Sequence, residues 1–186
     1  MSRLVQFAVA ALMVAAVITL NPTPGIAGSA AEIDRDVHKA LAGLYAKSSE
    51  AKALAKRAKA ILVFPKIIKA GFILGAQSGD GALRKNGKTA GYYNSTAVSY
   101  GLQAGVQWFG YAMFFMNASA LKYLDKSKGW EVGTGPSIVI MDKGAAGGIT
   151  TTTGKDDIYA FTFKQEGLMA GLGLQGTKIT KFTPDK

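Results

Sequence analysis

Lys52, Lys56 and Lys59 stand at i, i+4 and i+7 with Arg57 beside them, so a helix over this stretch carries a cationic stripe. Lys66 and Lys69 follow in a short apolar segment. Clustered ammonium and guanidinium groups suit the electrostatic capture of anions, the phosphates of lipid head groups among them. An ordinary solvated face of a docked helix accounts for the same stripe. What favours a binding surface is that no acid balances the stripe after Glu50.

Other residue types offer less. Asp142, Asp156 and Asp157 are the carboxylates that acid–base work or metal binding would use. Asp156-Asp157 lies in a polar turn, where aspartate serves local hydrogen bonding, and no metal-ligand spacing accompanies the three. Gly171-Leu172-Gly173-Leu174-Gln175-Gly176 has the letters of a dinucleotide fingerprint. It sits in a strand-like segment without the following helix and distant acid that the fingerprint needs. There is no cysteine, and His38 is the single histidine, on a predicted helix face, so thiolate sites and two-imidazole sites are excluded. No G-x-S-x-G elbow is present. An enzyme is not expected, and neither is a cofactor or a metal.

The elements that must position the lysines follow from patterning. Apolar Ile33, Val37, Leu41, Leu44 and Tyr45 recur at helical spacing from Glu32 to about Lys47. Ser48 and Ser49 close that helix and cap a second one over Glu50 to about Lys59. Ile61 to Phe64 then reads as a buried strand. Pro65 marks an edge or a bend, and the apolar run resumes at Ile67 and ends in a Gly79-Asp80-Gly81 turn. Further strands are expected at Ile67–Ala76, Gly81–Lys85, Thr89–Ser95, Ser99–Gln107, Trp108–Met116, Ser137–Met141, Ile158–Lys164 and Leu168–Gln175. Asn86-Gly87 fits a type I′ hairpin turn, and Asn117 caps an inserted helix to about Lys126. The aromatic run Trp108, Phe109, Tyr111, Phe114 and Phe115 reads as core. Trp130, after Lys126 and Lys128, suits a membrane-facing tip. The density of glycine inside strands calls for bulges or close packing. The predicted fold is α+β: a curved, glycine-rich antiparallel β-sheet or barrel with N-terminal helices and one inserted helix packed on it.

Composition sets the setting. The 186 residues suffice for one domain, and 48% are apolar against 18% charged, so the chain is not of a disordered type. Lys and Arg number 22 against 12 acids, a formal net charge of +10 that favours anionic partners. Arg3 followed by the apolar run Leu4–Leu20 and the breaker Asn21-Pro22-Thr23-Pro24-Gly25 matches a secretory signal peptide over residues 1–27. Cleavage falls after Ala27, or at Ala30 or Ala31. The alanine-rich signal is of bacterial type, which implies export to the periplasm or its membrane surface, with residues 32–186 as the mature domain.

The order of Ala58-Lys59-Ala60-Ile61-Leu62-Val63-Phe64-Pro65-Lys66, Lys69-Ala70-Gly71-Phe72 and Gly79-Asp80-Gly81 resembles the SYLF domain. So do Gly101-x-x-x-Gly105-x-Gln107, Gly135-Pro136, Tyr159, and Glu166-Gly167-Leu168-Met169-Ala170-Gly171-x-x-Leu174-x-Gly176-Thr177. The family's tryptophan-serine-x-proline stretch is replaced by Gly91-Tyr92-Tyr93-Asn94-Ser95. The resemblance implies a lipid-binding module of the phosphoinositide-binding kind. By it, Lys52, Lys56, Arg57, Lys59, Lys66 and Lys69 become the head-group candidates and an anionic phospholipid surface the partner. A non-enzymatic envelope module that pairs with a protein partner is the alternative. Nucleic acid is not an expected partner, and actin is not one for an exported chain.

Overall fold

The structure, a computed structural model, describes residues 28–72, 74–100, 105–126, 128–141, 156–167, 174 and 176–185. The expected signal peptide, Asp142, most of the Gly171–Gly176 run and the expected Leu168–Gln175 strand lie outside these residues.

Helix α1 spans Ala30–Lys47 and starts in a capping box. Ser29 N–H donates to Glu32 Oε2 at 3.0 Å, and Glu32 N–H donates to Ser29 Oγ at 3.4 Å. Ile33, Val37, Ala40 and Leu44 form its buried stripe. Helix α2 spans only Ser49–Ala55, capped by Ser48 Oγ on Ala51 N–H at 3.0 Å. It is shorter than its lysine spacing predicts. Arg57 N–H closes a tighter turn onto Leu54 O at 3.0 Å, and Lys59 N–H already bonds Phe115 O at 2.7 Å, which hands the chain to the sheet.

Eight strands follow among the described residues: β1 Ala60–Phe72, β2 Leu74–Lys85, β3 Lys88–Tyr100, β4 Gly105–Phe115, β5 Trp130–Glu131, β6 Ile138–Met141, β7 Ile158–Gly167 and β8 Lys178–Phe182. They form one sheet in the order β5-β8-β3-β2-β1-β4-β7-β6. All pairs are antiparallel except β6 with β7. β4, β1, β2 and β3 lie side by side in Greek-key order. The predicted Asn86-Gly87 turn joins β2 to β3, with φ of 51° and 76°. Where two short strands are expected between Thr89 and Gln107, β3 runs unbroken to Tyr100.

The sheet curls into a half-barrel. β1 and β2 separate β3 from β4, yet Tyr111 OH on β4 donates to Ser95 Oγ on β3 at 2.7 Å across the hollow. The Phe115 ring on β4 and the Trp130 ring on β5 lie 6.1 Å apart edge to face, with β8, β3, β2 and β1 between their strands in the sheet. Leu62, Phe64, Ile67, Phe109, Met113 and Ile158 fill the concave side. The inserted helix α3, Ala118–Leu121, and a 3₁₀ turn, Lys122–Asp125, add Ala120 and Leu124 to it. Asn117 caps α3, accepting from Ala120 N–H at 2.8 Å. On the outer side, Ile61, Val63, Ala112, Phe114 and Phe161 pack with the buried stripes of α1 and α2. Burial on both faces explains why Ile61 to Phe64 is apolar without alternation.

Pro65 sits in β1, which is a central strand and not an edge. It occupies a bulge, since the register shifts between Val63 and Ile68 against β2 and between Phe64 and Ile67 against β4. Gly79-Asp80-Gly81 is not a turn either, but the interior of β2 beside that bulge. A Cβ at Gly79 would lie 2.3 Å from Lys66 O, so the bulged backbone requires a glycine opposite it. Trp130 is likewise no membrane-facing tip. It is fully buried in the hollow, with its indole N–H donating to Thr134 O at 2.9 Å.

Candidate functional site

Successive residues of an α-helix are about 100° apart, so α1 presents different side chains on either flank of its buried stripe. A cleft opens along each flank. The first, about 500 Å³, has His38, Leu41, Ala42 and Tyr45 of α1 on one wall and Ala60, Ile61 and Arg84 of the sheet on the other. Lys56 and Lys59 close it from the turn after α2. Both lysines are exposed, and neither is in an ion pair with a described residue.

Arg84, by contrast, is held. Its Nη1 donates to Thr89 Oγ1 at 2.7 Å, Nη2 donates to Gly87 O, and Nη1 lies 4.0 Å from Asp34 Oδ1. Asp34 also accepts from Thr89 Oγ1 at 2.6 Å and from Tyr92 OH at 3.2 Å. One wall therefore carries a fixed cation while the rim carries two exposed lysines, over an apolar floor. Burial raises the Tyr45 phenol above its ordinary value, so Tyr45 is a neutral part of that floor.

The second cleft, about 470 Å³, lies between α1 and the bulged part of the sheet. Asp36, Lys39, Pro65, Lys66, Trp108, Phe109 and Lys164 line it. Lys66 reaches it from the bulge in β1. Lys164 reaches it from β7, where the β4 register shifts again and the lysine takes a left-handed φ of 52°. A non-glycine residue there is strained and is found where the surroundings impose it. Two bulges thus turn lysines from different strands toward the same aromatic pair on β4. Asp36, the acid of this cleft, lies 3.6 Å from Arg35 Nε.

The six residues singled out from sequence are therefore divided. Lys56 and Lys59 share the first cleft, and Lys66 belongs to the second. Lys52 and Arg57 are exposed beside them without lining either. Lys69 points to the concave side, 9% exposed, in register with Gln77 on β2 and Gln107 on β4. Lys39, Arg84 and Lys164 were not singled out. No local pattern marks them, because register and helix docking bring them in.

Of the three aspartates, the two described ones, Asp156 and Asp157, are engaged in local hydrogen bonds. Asp157 accepts from Ser137 N–H at 2.9 Å and from the Asn117 side-chain amide at 2.5 Å. The Ser137 backbone bond, with the Asn117 bond second, holds its carboxyl below the usual range. His38 is an exposed helix residue. Among the described residues no group of His, Cys, Asp or Glu is arranged to hold a metal, and no helix is long and apolar enough to cross a membrane.

The domain is a curled half-barrel with helices on its outer face and basic clefts along them. Residues 96–184 match the Ysc84 family, described as Las17-binding protein actin regulator, whose domain is also called SYLF. The family is associated with lipid binding and actin regulation and is generally non-catalytic. The match begins within β3 and takes in β4 to β8. β1 and β2, which join β3 to β4 through the middle of the sheet, precede it. No curated protein matches the chain.

Proposed function

We propose that this protein binds anionic phospholipid, in the manner of a phosphoinositide-binding module, through the basic side of its helical face. Lys52, Lys56, Arg57, Lys59 and Lys66 attract the head groups, Arg84 supplies a fixed cation, and export brings the protein to an envelope membrane. The observation that carries this reading is the first cleft. Two lysines without an ion-pair partner among the described residues and one anchored arginine surround an apolar floor wide enough for a phosphorylated head group. Lys69 drops out of the set because its side chain is buried on the other face.

Each lysine near an anionic bilayer contributes about 1 kcal/mol. The triple variant Lys52→Glu, Lys56→Glu, Lys59→Glu therefore weakens binding by about 100-fold or more. Co-sedimentation with phosphatidylcholine vesicles, with and without phosphatidylglycerol or a phosphoinositide, measures this. The wild type is expected to bind only the acidic vesicles and to lose affinity as salt is raised. Equal binding by the variant, or equal binding to neutral vesicles, refutes the proposal.

A further inference from the structure

The outer face of the sheet is roofed by the helices at one end only. Toward the other end, Ile68 is 44% exposed, Leu74 60%, Val98 75%, Val106 44% and Trp108 38%. Register makes these residues one patch. Trp108, Ile68, Ser78 and Thr96 run side by side across β4, β1, β2 and β3, and Val106, Ala70, Ala76 and Val98 form the next row. Four strands at a spacing of ~4.8 Å make the patch about 14 Å wide. A contiguous apolar surface of this kind marks an interaction site.

Its charged border indicates what covers it. Lys66 and Lys164 meet Trp108 in the second cleft. At the opposite side, exposed Lys178 on β8 continues the row from Thr96. On β7 the backbone partner of Trp108 is Glu166. Apolar side chains in the middle, a tryptophan at the boundary and lysines outside it match the layering of an anionic bilayer, from acyl chains through the interface to phosphates. A purely apolar partner would leave the lysines unmatched.

We propose that this uncovered end of the β1–β4 sheet inserts into the interface of an anionic membrane. Ile68, Val98 and Val106 enter the acyl boundary, Trp108 rests at head-group depth, and Lys66 and Lys164 bind phosphates beside it. The inference rests on the lipid-binding reading above and adds to it the surface that enters the bilayer.

The test uses vesicles of phosphatidylcholine with 30% phosphatidylglycerol, some carrying brominated acyl chains, and reads both co-sedimentation and tryptophan emission. Trp130, sealed in the hollow, supplies an internal reference. The expected result is a blue shift and bromine quenching of the wild type that disappear in Trp108→Phe. The double variant Ile68→Gln, Val98→Gln should bind about tenfold more weakly with an unchanged Tm, because both side chains are exposed. Binding of the wild type without quenching of Trp108 overturns the insertion and leaves head-group capture standing. No binding to the acidic vesicles overturns both. A wild-type dimer that the double variant dissociates assigns the patch to a second copy of the chain and overturns the proposal.

Discussion

Replacing Tyr111 with phenylalanine removes the hydroxyl that donates to Ser95 Oγ at 2.7 Å. Both residues are fully buried, and their strands meet only because the sheet curls. Leaving one partner of a buried hydrogen bond unsatisfied costs about 1–3 kcal/mol, so Tyr111→Phe and Ser95→Ala should each destabilise by that amount. For a domain of this length, about 1 kcal/mol lowers Tm by about 2–4 °C. The double variant removes both polar groups together and should cost less than the sum of the singles, by a coupling of about 1–2 kcal/mol. Urea denaturation of the wild type, the two singles and the double closes the cycle. Alkaline pH offers a second readout. Burial raises the Tyr111 phenol well above its ordinary value, and the Ser95 bond offsets this only in part. A folded-state pKa above the unfolded one stabilises below the unfolded value of about 10 and loses that contribution as pH rises through the folded value. The wild type should therefore lose stability above about pH 10, and Tyr111→Phe should lose less. Additive costs around the cycle would refute the contact, and with it the curl that brings β3 and β4 face to face.

Two further predictions concern the bulge and the aspartate. In Gly110→Ala a Cβ would lie 2.3 Å from Phe163 Cε2 and 2.8 Å from Pro65 O. The variant should lose about 1–3 kcal/mol by overpacking, and an unchanged urea midpoint would show that these neighbours yield freely. The lowered pKa of Asp157 stabilises the fold above the ordinary carboxylate value and is lost as pH falls through the folded one. The effect is small, because the group is open to solvent. Asp157→Asn should flatten the fall in Tm between pH 6 and pH 3, and an acid profile identical to that of the wild type would count against the Ser137 and Asn117 bonds as its cause.

Local chemistry made much of this fold readable from sequence. Asn86-Gly87 needs positive φ, Asn117 caps a helix, and the apolar periods of α1 and β1 announce their faces. What escaped depended on register. Lys66 and Lys69 are close in sequence and looked like members of one basic surface, but strand alternation sends Lys69 into the hollow and leaves Lys66 outside. Gly79-Asp80-Gly81 has the composition of a turn, and only the bulge facing it explains why a strand tolerates it. The two tryptophans exchange their expected burial for the same reason. Trp130 lies on the concave side of a strand that the curl carries over Phe115, whereas Trp108 lies on the outer side, part-exposed at the border of the cleft beside α1. Lys39 and Lys164 gave no signal, since helix docking and a second bulge bring them to the cleft.

The place of β8 in the sheet has a consequence for the order of events during synthesis. β3 is complete at Tyr100, but the strand that covers its outer edge is Lys178–Phe182. At roughly 5–20 residues per second the intervening chain takes on the order of 4–16 s to make. For that time the hydrogen-bonding edge of β3 stands open, and an open edge invites pairing with other chains. Trp130 on β5 cannot settle over the hollow until β8 is in place to pair with it. The half-barrel can therefore be completed only once β8 is available to pair with both β3 and β5, and until then the chain must be kept apart from its neighbours.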